Sequence, residues 1–388
     1  MSDQPIMTIL PSQRDLFDIP EDVAYFNCAS SSPQLNESRT RLLAGVHSKS
    51  HPWERTTQSF FDDAETIRRL SAEIFGGDAD GYAVVPAASY GMSTAARAVE
   101  PHLAAGDHIL LIEDEFPSVV LPWRRIAQQT GAILVTVPTP IDSNWTRAIL
   151  ENIGARTSVV AVSSCHWTNG AYIDLRLIGE ACRAADTILV VDATQTLGAM
   201  PFPLAEIRPD FLVAAGYKWL LCPYGFGLLY VSEHWRDARP LEESWLARDN
   251  ARDFTVLTKY SDTYLPGARR FDVGEKCTPT ILPGAIAALE QIKMWGVENI
   301  AASLSAINAK IALHLEQLGC RLPNMGQRCP HMFGARLPET YTGDMVAGLK
   351  SRNIHISHRG NSLRFAPHLH VNEQDVARLI RGLSDLMK

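Results

Sequence analysis

No stretch of this 388-residue chain approaches the roughly 20 consecutive apolar residues of a membrane-spanning helix, so no such span is expected. The opening residues Met1-Ser2-Asp3-Gln4-Pro5 lack the basic-then-apolar form of a secretory signal. No CxxC pair occurs among the seven cysteines, and an odd count suits a reduced interior better than a disulfide framework. These absences point to a cytoplasmic protein. No basic patch stands out against a net charge of −7, which argues against a nucleic-acid partner. No GxGxxG opens a helix after the first strand-like run, which removes a nicotinamide-binding domain. The twelve histidines include His368 and His370, with His355 and His358 close upstream, but no Cys, Asp or Glu joins them at metal spacing. No metal is expected.

What is present is an alternation of period and composition. Between about Gly81 and Ser232, apolar runs at 82–85, 108–112, 132–137, 158–162, 187–191, 211–214 and 227–231 alternate with helical stretches. Several are near-continuous in Val, Ile and Leu, as strands covered on both faces must be. The rhythm predicts an α/β fold: a large domain with a mostly parallel seven-stranded sheet covered by helices. From about Pro266 it gives way to helices over 283–295 and 298–318, short strands, and a last helix over 372–387, a smaller C-terminal α+β domain. The expected division is an N-terminal segment across the cleft (1–43), a large domain (44–265) and a small domain (266–388).

Two residues carry the chemistry. Lys218 lies among apolar and small neighbours in Ala214-Ala215-Gly216-Tyr217-Lys218-Trp219, and Asp192 ends the run Val190-Val191-Asp192. An enclosed amine can form an imine, and a carboxylate at a strand's C-terminal edge can keep a pyridine nitrogen protonated. Together they are the minimum that pyridoxal 5′-phosphate requires. Pro86-Ala87-Ala88-Ser89 runs from a strand into a helix, with Ser89 the expected N-cap and Ala88 beside it, a suitable cradle for a phosphate. Phe116, after the strand ending near Ile112, could stack on the ring. Gln195 could donate to the phenolate oxygen. Arg364, in Ser362-Leu363-Arg364-Phe365, offers a fork-shaped cation to an α-carboxylate. His358 and Arg359 are candidates for substrate-specific contacts.

Taken together, these residues make the chain similar to the class V aminotransferases, fold type I pyridoxal-phosphate enzymes that include cysteine desulfurases, isopenicillin N epimerase-like proteins and kynureninase. The likeness runs from Tyr25-Phe26-Asn27-Cys28-Ala29-Ser30 to Asn372-Glu373-Gln374-Asp375, and is densest between Ser158 and Val231. It implies that Lys218 is the imine lysine, Asp192 the ring-nitrogen partner and Arg364 the carboxylate ligand. It further implies Gln195 and Ser164 near the phenolate oxygen, Ser89 and Thr278 on the phosphate, and Asn27 at the substrate. It also implies a homodimer with shared active sites, reached across by the segment Gly267–Glu275. Ser164 stands where many relatives carry His or Asn, and Ala215 replaces a frequent serine, with Tyr217 as its substitute.

Desulfurases need a cysteine just before the carboxylate arginine, and Ile356–Ser362 contains none. The expected reaction is therefore transamination of an amino acid or amine through an external aldimine, with Lys218 removing the α-proton. The alternative is a lyase or epimerase (C–S lyase or kynureninase-like) on the same scaffold, although Val119 stands where kynureninase has an acidic residue. A non-catalytic relative is the reading from another class, opposed by the presence of Lys218, Asp192 and Arg364 together.

Overall fold

The computed structural model describes residues 7–388; the first six residues of the expected 1–43 segment lie outside the described residues. The strands are β1 (Ala24–Tyr25), β2 (Tyr82–Val85), β3 (His108–Ile112), β4 (Ile133–Val137), β5 (Thr157–Ser163), β6 (Ile188–Asp192), β7 (Phe211–Ala215), β8 (Gly227–Val231), β9 (Phe333–Ala335), β10 (Ile354–His355), β11 (Ser357–Arg359) and β12 (Ser362–Phe365). The helices are α1 (Asn36–Ser50), α2 (Asp62–Phe75), α3 (Ala88–Val99), α4 (Pro117–Thr130), α5 (Trp145–Leu150), α6 (Leu175–Ala184), α7 (Leu204–Ile207), α8 (Leu282–Trp295), α9 (Val297–Gln317), α10 (Met345–Lys350) and α11 (Glu373–Leu386).

The seven-stranded sheet has the order β2-β8-β7-β6-β5-β3-β4, and only β8 runs antiparallel to its neighbours. This is the α/β architecture that the sequence implied. Its strands read as unbroken apolar runs because both faces are buried. In β6, Leu189 and Val191 enter one core while Val190 enters the other. In β7, Leu212 and Ala214 face one side, and Phe211, Val213 and Ala215 the other. Successive side chains alternate across a strand, so only a run without polar residues satisfies both sides. Each large side chain so buried contributes about 1.5–3 kcal/mol. Truncating Phe211 to alanine would remove one such contribution and leave a cavity.

The parallel strands put the C-terminal ends of β2, β3, β5, β6 and β7 at one edge, where open α/β sheets bind ligands. A second core gathers Phe26, Ile311, Leu315, Phe333, Leu363, Phe365, Leu379 and Leu383 around the small sheet β11-β12-β9. Helix α8 packs on α1 and α2, and Leu282, Ile292 and Ile300 belong to the core of the large sheet. Strand β1 pairs in parallel with β10, and Asn27 bridges to Ala366. The N-terminal segment then crosses to the large sheet, where the Ser32 N–H donates to the Tyr217 carbonyl at 3.0 Å. α11 is closed by a reciprocal cap between Asn372 and Asp375, already visible in the spacing Asn372-Glu373-Gln374-Asp375.

The segment Gly267–Glu275, expected to reach a neighbouring subunit, is folded onto its own β2. Its Gly267–Phe271 part is a 3-10 turn, and the Val273 N–H donates to Val84 O at 2.9 Å. Asp272 accepts from Val84 N at 2.9 Å and from the buried Lys276 at 2.7 Å, and also pairs with the buried Arg68. Removing Asp272 alone would leave the buried Lys276 without its carboxylate and Arg68 with Glu65 alone, a loss of about 3–5 kcal/mol. The triad therefore anchors the strand that leads into α3.

Candidate active site

At the common strand edge lies a cavity of about 210 Å³ lined by Ala88, Ser89, Phe116, Ser163, Asp192 and Lys218, among others. A larger hollow of about 860 Å³ opens at the opposite edge, beside the starts of β6 and β7. Size does not choose between them. The smaller one holds the buried amine and the buried carboxylate, and those are what chemistry needs.

Lys218 is 6% exposed, and its amine has no hydrogen-bond or ion-pair partner among the described residues. Burial pushes it down to about 8, against the opposing pull of Asp192, and Arg364 and Arg359 push the same way as burial. The Phe116 ring centre lies 5.5 Å from its Nζ, and that of Tyr217 lies 5.8 Å away. Tyr217 is itself stacked on Tyr224, with ring centres 4.0 Å apart.

Asp192 ends β6 at 4% exposure, and burial raises its carboxyl against hydrogen bonds from Thr194 and the charge of Lys218. Its Oδ1 accepts from Thr194 N at 2.8 Å, while Thr194 Oγ1 accepts from Ala215 N at 3.0 Å. Thr194 thus ties the carboxylate strand to the lysine strand. Sequence reading passed over it.

The cap of helix α3 lies two residues earlier than expected. Ala87, in extended conformation, is the N-cap, and Ser89 is the second helical residue with its side chain exposed. The correction follows from the backbone: Gly91 N already bonds to Ala87 O at 3.2 Å. The free N–H groups of Ala88, Ser89 and Tyr90 point out of this helix end, a suitable seat for an anion.

β-strand register also relocates a serine. Ser163, not Ser164, is the partner of Asp192 in the parallel ladder and lines the cavity. Ser164 bonds to Asp192 O at 3.3 Å and to Thr196 Oγ1 at 2.5 Å, on the reverse face. Ser163 Oγ donates to the buried carboxyl of Glu115 at 2.7 Å, and Ser163 N to its other oxygen at 2.9 Å. Burial lifts Glu115 to about 7, and nearby Asp192 adds to the rise. Glu115 also accepts from Phe116 N at 2.7 Å, so it holds the aromatic residue in place. Phe116 meets Trp167 edge to face at 5.4 Å. Neither Glu115 nor Trp167 was singled out by sequence reading; an acid directly before the stacking aromatic was the available signal.

Gln195 is tied at both ends of its amide. It donates to Ala29 O at 3.1 Å and accepts from Trp219 Nε1 at 2.9 Å, which leaves one N–H for the cavity it lines. Behind it His331 contacts Gln195 O, and His331, His368 and His370 are all buried. Burial lowers them to about 4, 3 and 4. Among the described residues no group of three or more His, Cys, Asp or Glu could hold a metal.

Arg364 is 1% exposed and donates to Ser357 Oγ at 3.2 Å, Trp167 O at 2.7 Å and Ser30 Oγ at 2.7 Å. Burial, reinforced by the charge of Arg359, lowers it to about 10. The loop carrying Trp167 reaches it because Gly170 adopts φ +71°, and a Cβ there would stand 2.5 Å from Met332 O. Asn27 Oδ1 is buried without a hydrogen-bond partner among the described residues. Arg359 shares the Arg364 face of the hairpin, whereas His358 lies on the other face and is exposed. Thr278 lies outside the cavity, in the segment against which Gly45 of α1 packs.

The family profile described as Aminotransferase class-V matches residues 32–380. The chain belongs to that family. Among its relatives, the isopenicillin N epimerase of Amycolatopsis lactamdurans is 24% identical over 99% of this chain and 100% of its own length. The uncharacterized aminotransferase YcbU of Bacillus subtilis is 25% identical, covering 82% of each chain. In fold, the chain is similar to the apo cysteine desulfurase of Thermococcus onnurineus, with a TM-score of 0.82 at 19% identity over 98% of this chain and 99% of that one. The cavity suits the cofactor of class V enzymes on its own geometry. It presents an unpartnered buried amine, a carboxylate opposite, an aromatic wall and a helix N-terminus at one sheet edge.

Proposed function

We propose that this class V enzyme moves the amino group of an amino acid or amine by transamination. The observation that carries the reading is the buried amine of Lys218, without a hydrogen-bond partner among the described residues and lowered to about 8, in one cavity with Asp192. The cofactor is pyridoxal 5′-phosphate, which when bound supplies an aldehyde that condenses with amines and a cationic ring that withdraws electrons from the substrate's α-carbon. Asp192 holds a proton at the ring nitrogen. Phe116 covers the ring face, with Glu115 and Trp167 fixing its tilt. The N–H groups of Ala88, Ser89 and Tyr90, with the Ser89 hydroxyl, take the phosphate. Gln195 offers its remaining N–H to the phenolate oxygen. Arg364 would receive the α-carboxylate with Asn27 beside it, and Lys218 Nζ would take the α-proton and deliver it to the cofactor's former aldehyde carbon, whereas return to the α-carbon would give epimerisation. A base near 8 is matched to that task, since it is partly neutral at working pH while still able to hold a proton.

Persulfide transfer is not proposed: Ile356–Ser362 holds no cysteine, and Cys165 and Cys329 are buried. Epimerisation or lyase chemistry on the same carbon is the second reading, supported by the full-length likeness to isopenicillin N epimerase. We further propose a homodimer of twice the 42.8 kDa chain, in which Thr278 completes the partner's phosphate site, and a cytoplasmic setting that suits seven free cysteines. The test is the fate of the cofactor. Stoichiometric conversion to its amino form by an amino donor is expected. Product formation with the aldehyde form unchanged would favour the second reading, and turnover retained by Lys218→Ala would end both.

A further inference from the structure

The site's cations outnumber what a simple amino acid can balance. Ser30 Oγ accepts from Arg364 Nη2 at 2.7 Å and from Arg359 Nη2 at 3.1 Å, so one hydroxyl holds two guanidinium groups side by side. Hairpin register explains the meeting. Ser357 pairs with Arg364 and Arg359 with Ser362, so these four side chains share one face, and His358 with Leu363 take the other. Arg359 is half-buried, and among the described residues its Nη1 donates only to the His358 carbonyl, at 2.8 Å. Neither arginine meets a carboxylate among the described residues. Arg364 also grips the backbone of Trp167, whose side chain lines the cofactor cavity, so the pair stands at that cavity's rim. Like charges held this close without a counter-ion repel, and they persist where a ligand supplies the missing anions. One α-carboxylate answers Arg364. Arg359 is left over.

We propose that the substrate carries a second acidic group on its side chain, a carboxylate or phosphate, and that Arg359 is the specificity-determining residue that binds it. The inference rests on the amino-acid reading of the site given above. Arg359 extends the cationic face by one pairing step along the hairpin, so the two anions are separated by a short chain rather than carried on one carbon.

The test uses the cofactor-loaded enzyme and matched compounds: glutamate against glutamine, aspartate against asparagine, and phosphoserine against serine. Cofactor absorbance reports reaction, and calorimetric titration with glutarate against butyrate reports binding without turnover. Wild type should favour the acidic member of at least one pair by about 10- to 100-fold, as expected for a charge-assisted hydrogen bond. In Arg359→Gln that preference should collapse toward unity, glutarate should bind no more tightly than butyrate, and Arg359→Lys should restore part of both. The phosphoserine arm separates a phosphate from a carboxylate as the second group. Equal losses for acidic and neutral members in Arg359→Gln would overturn the proposal, since both arginines would then grip one α-carboxylate. A wild-type preference for neutral members would overturn it as well, while leaving the amino-acid reading intact. Silence toward every amino acid would overturn both.

Discussion

Replacing Arg364 with methionine separates a binding role from a structural one. Leaving water costs this guanidinium dearly: the fall from 12.5 to about 10 corresponds to about 3 kcal/mol against the charged form. In return the side chain donates to Ser357, Trp167 and Ser30, three hydrogen bonds each worth about 1 kcal/mol net. The opposing contributions nearly cancel. Methionine is flexible enough to fill the space, so Arg364→Met should melt within about 2 °C of the wild type by calorimetry of the cofactor-free protein. Function has no such compensation. Losing a two-pronged charged contact to an α-carboxylate costs about 2–5 kcal/mol, or roughly 30- to 5000-fold in affinity. The assay titrates cofactor-loaded protein with an amino acid and with the corresponding amine lacking the carboxylate, following the visible absorbance. The amino acid should lose affinity while the amine does not. A melting temperature lowered by more than about 5 °C, with discrimination between the two ligands unchanged, would show that Arg364 is a strut and refute the reasoning.

The pH response of the lysine is equally specific. Only a neutral amine condenses with an aldehyde, and burial sets Lys218 near 8, so uptake of pyridoxal phosphate by cofactor-free protein should rise through that pH. Asp192→Asn removes the anion that favours the ammonium form and should move the midpoint lower; a midpoint displaced upward would contradict the pairing. The buried histidines predict acid sensitivity. His331, His368 and His370 remain neutral in the fold to about 4, 3 and 4, whereas unfolded histidine takes its proton near 6.5. The unfolded chain therefore binds more protons below pH 6.5, and stability should fall as pH drops, by about 2 kcal/mol per histidine by pH 5. Denaturant titrations of His368→Gln between pH 5 and 7 should show a shallower slope, and an unchanged slope would place that histidine in solvent contact.

Much of the fold was legible because burial on both faces leaves an unmistakable trace. The apolar runs at 82–85, 108–112 and 227–231 coincide with β2, β3 and β8, and the remaining central strands differ by a residue or two at their ends. The buried amine and the strand-end acid were legible for a related reason, since a charged group among apolar neighbours has to be used or partnered. Ser164 shows where that logic stops. Two adjacent serines stand where β5 ends, Ser163 within it and Ser164 just past it, and which one faces the cavity depends on pairing with β6, a register that no local pattern carries. The start of α3 moved for a similar reason, because the first closed turn depends on backbone geometry at Ala87 rather than on the best capping side chain.

The sequence by itself determined which residues could do chemistry and which segments had to be buried, because hydrophobic period and ionisable side chains are properties of neighbours along the chain. Only the tertiary structure decided that Ser30, Trp167, Arg359 and Arg364 meet at one rim, that Ser163 anchors the Glu115 carboxyl that holds Phe116, and that the segment after Gly267 folds back onto β2. Contacts between residues more than 300 positions apart are selected by the packing of the whole molecule, and that packing sets the Ser30 hydroxyl against two arginines whose distance from it in the chain carries no hint of the meeting.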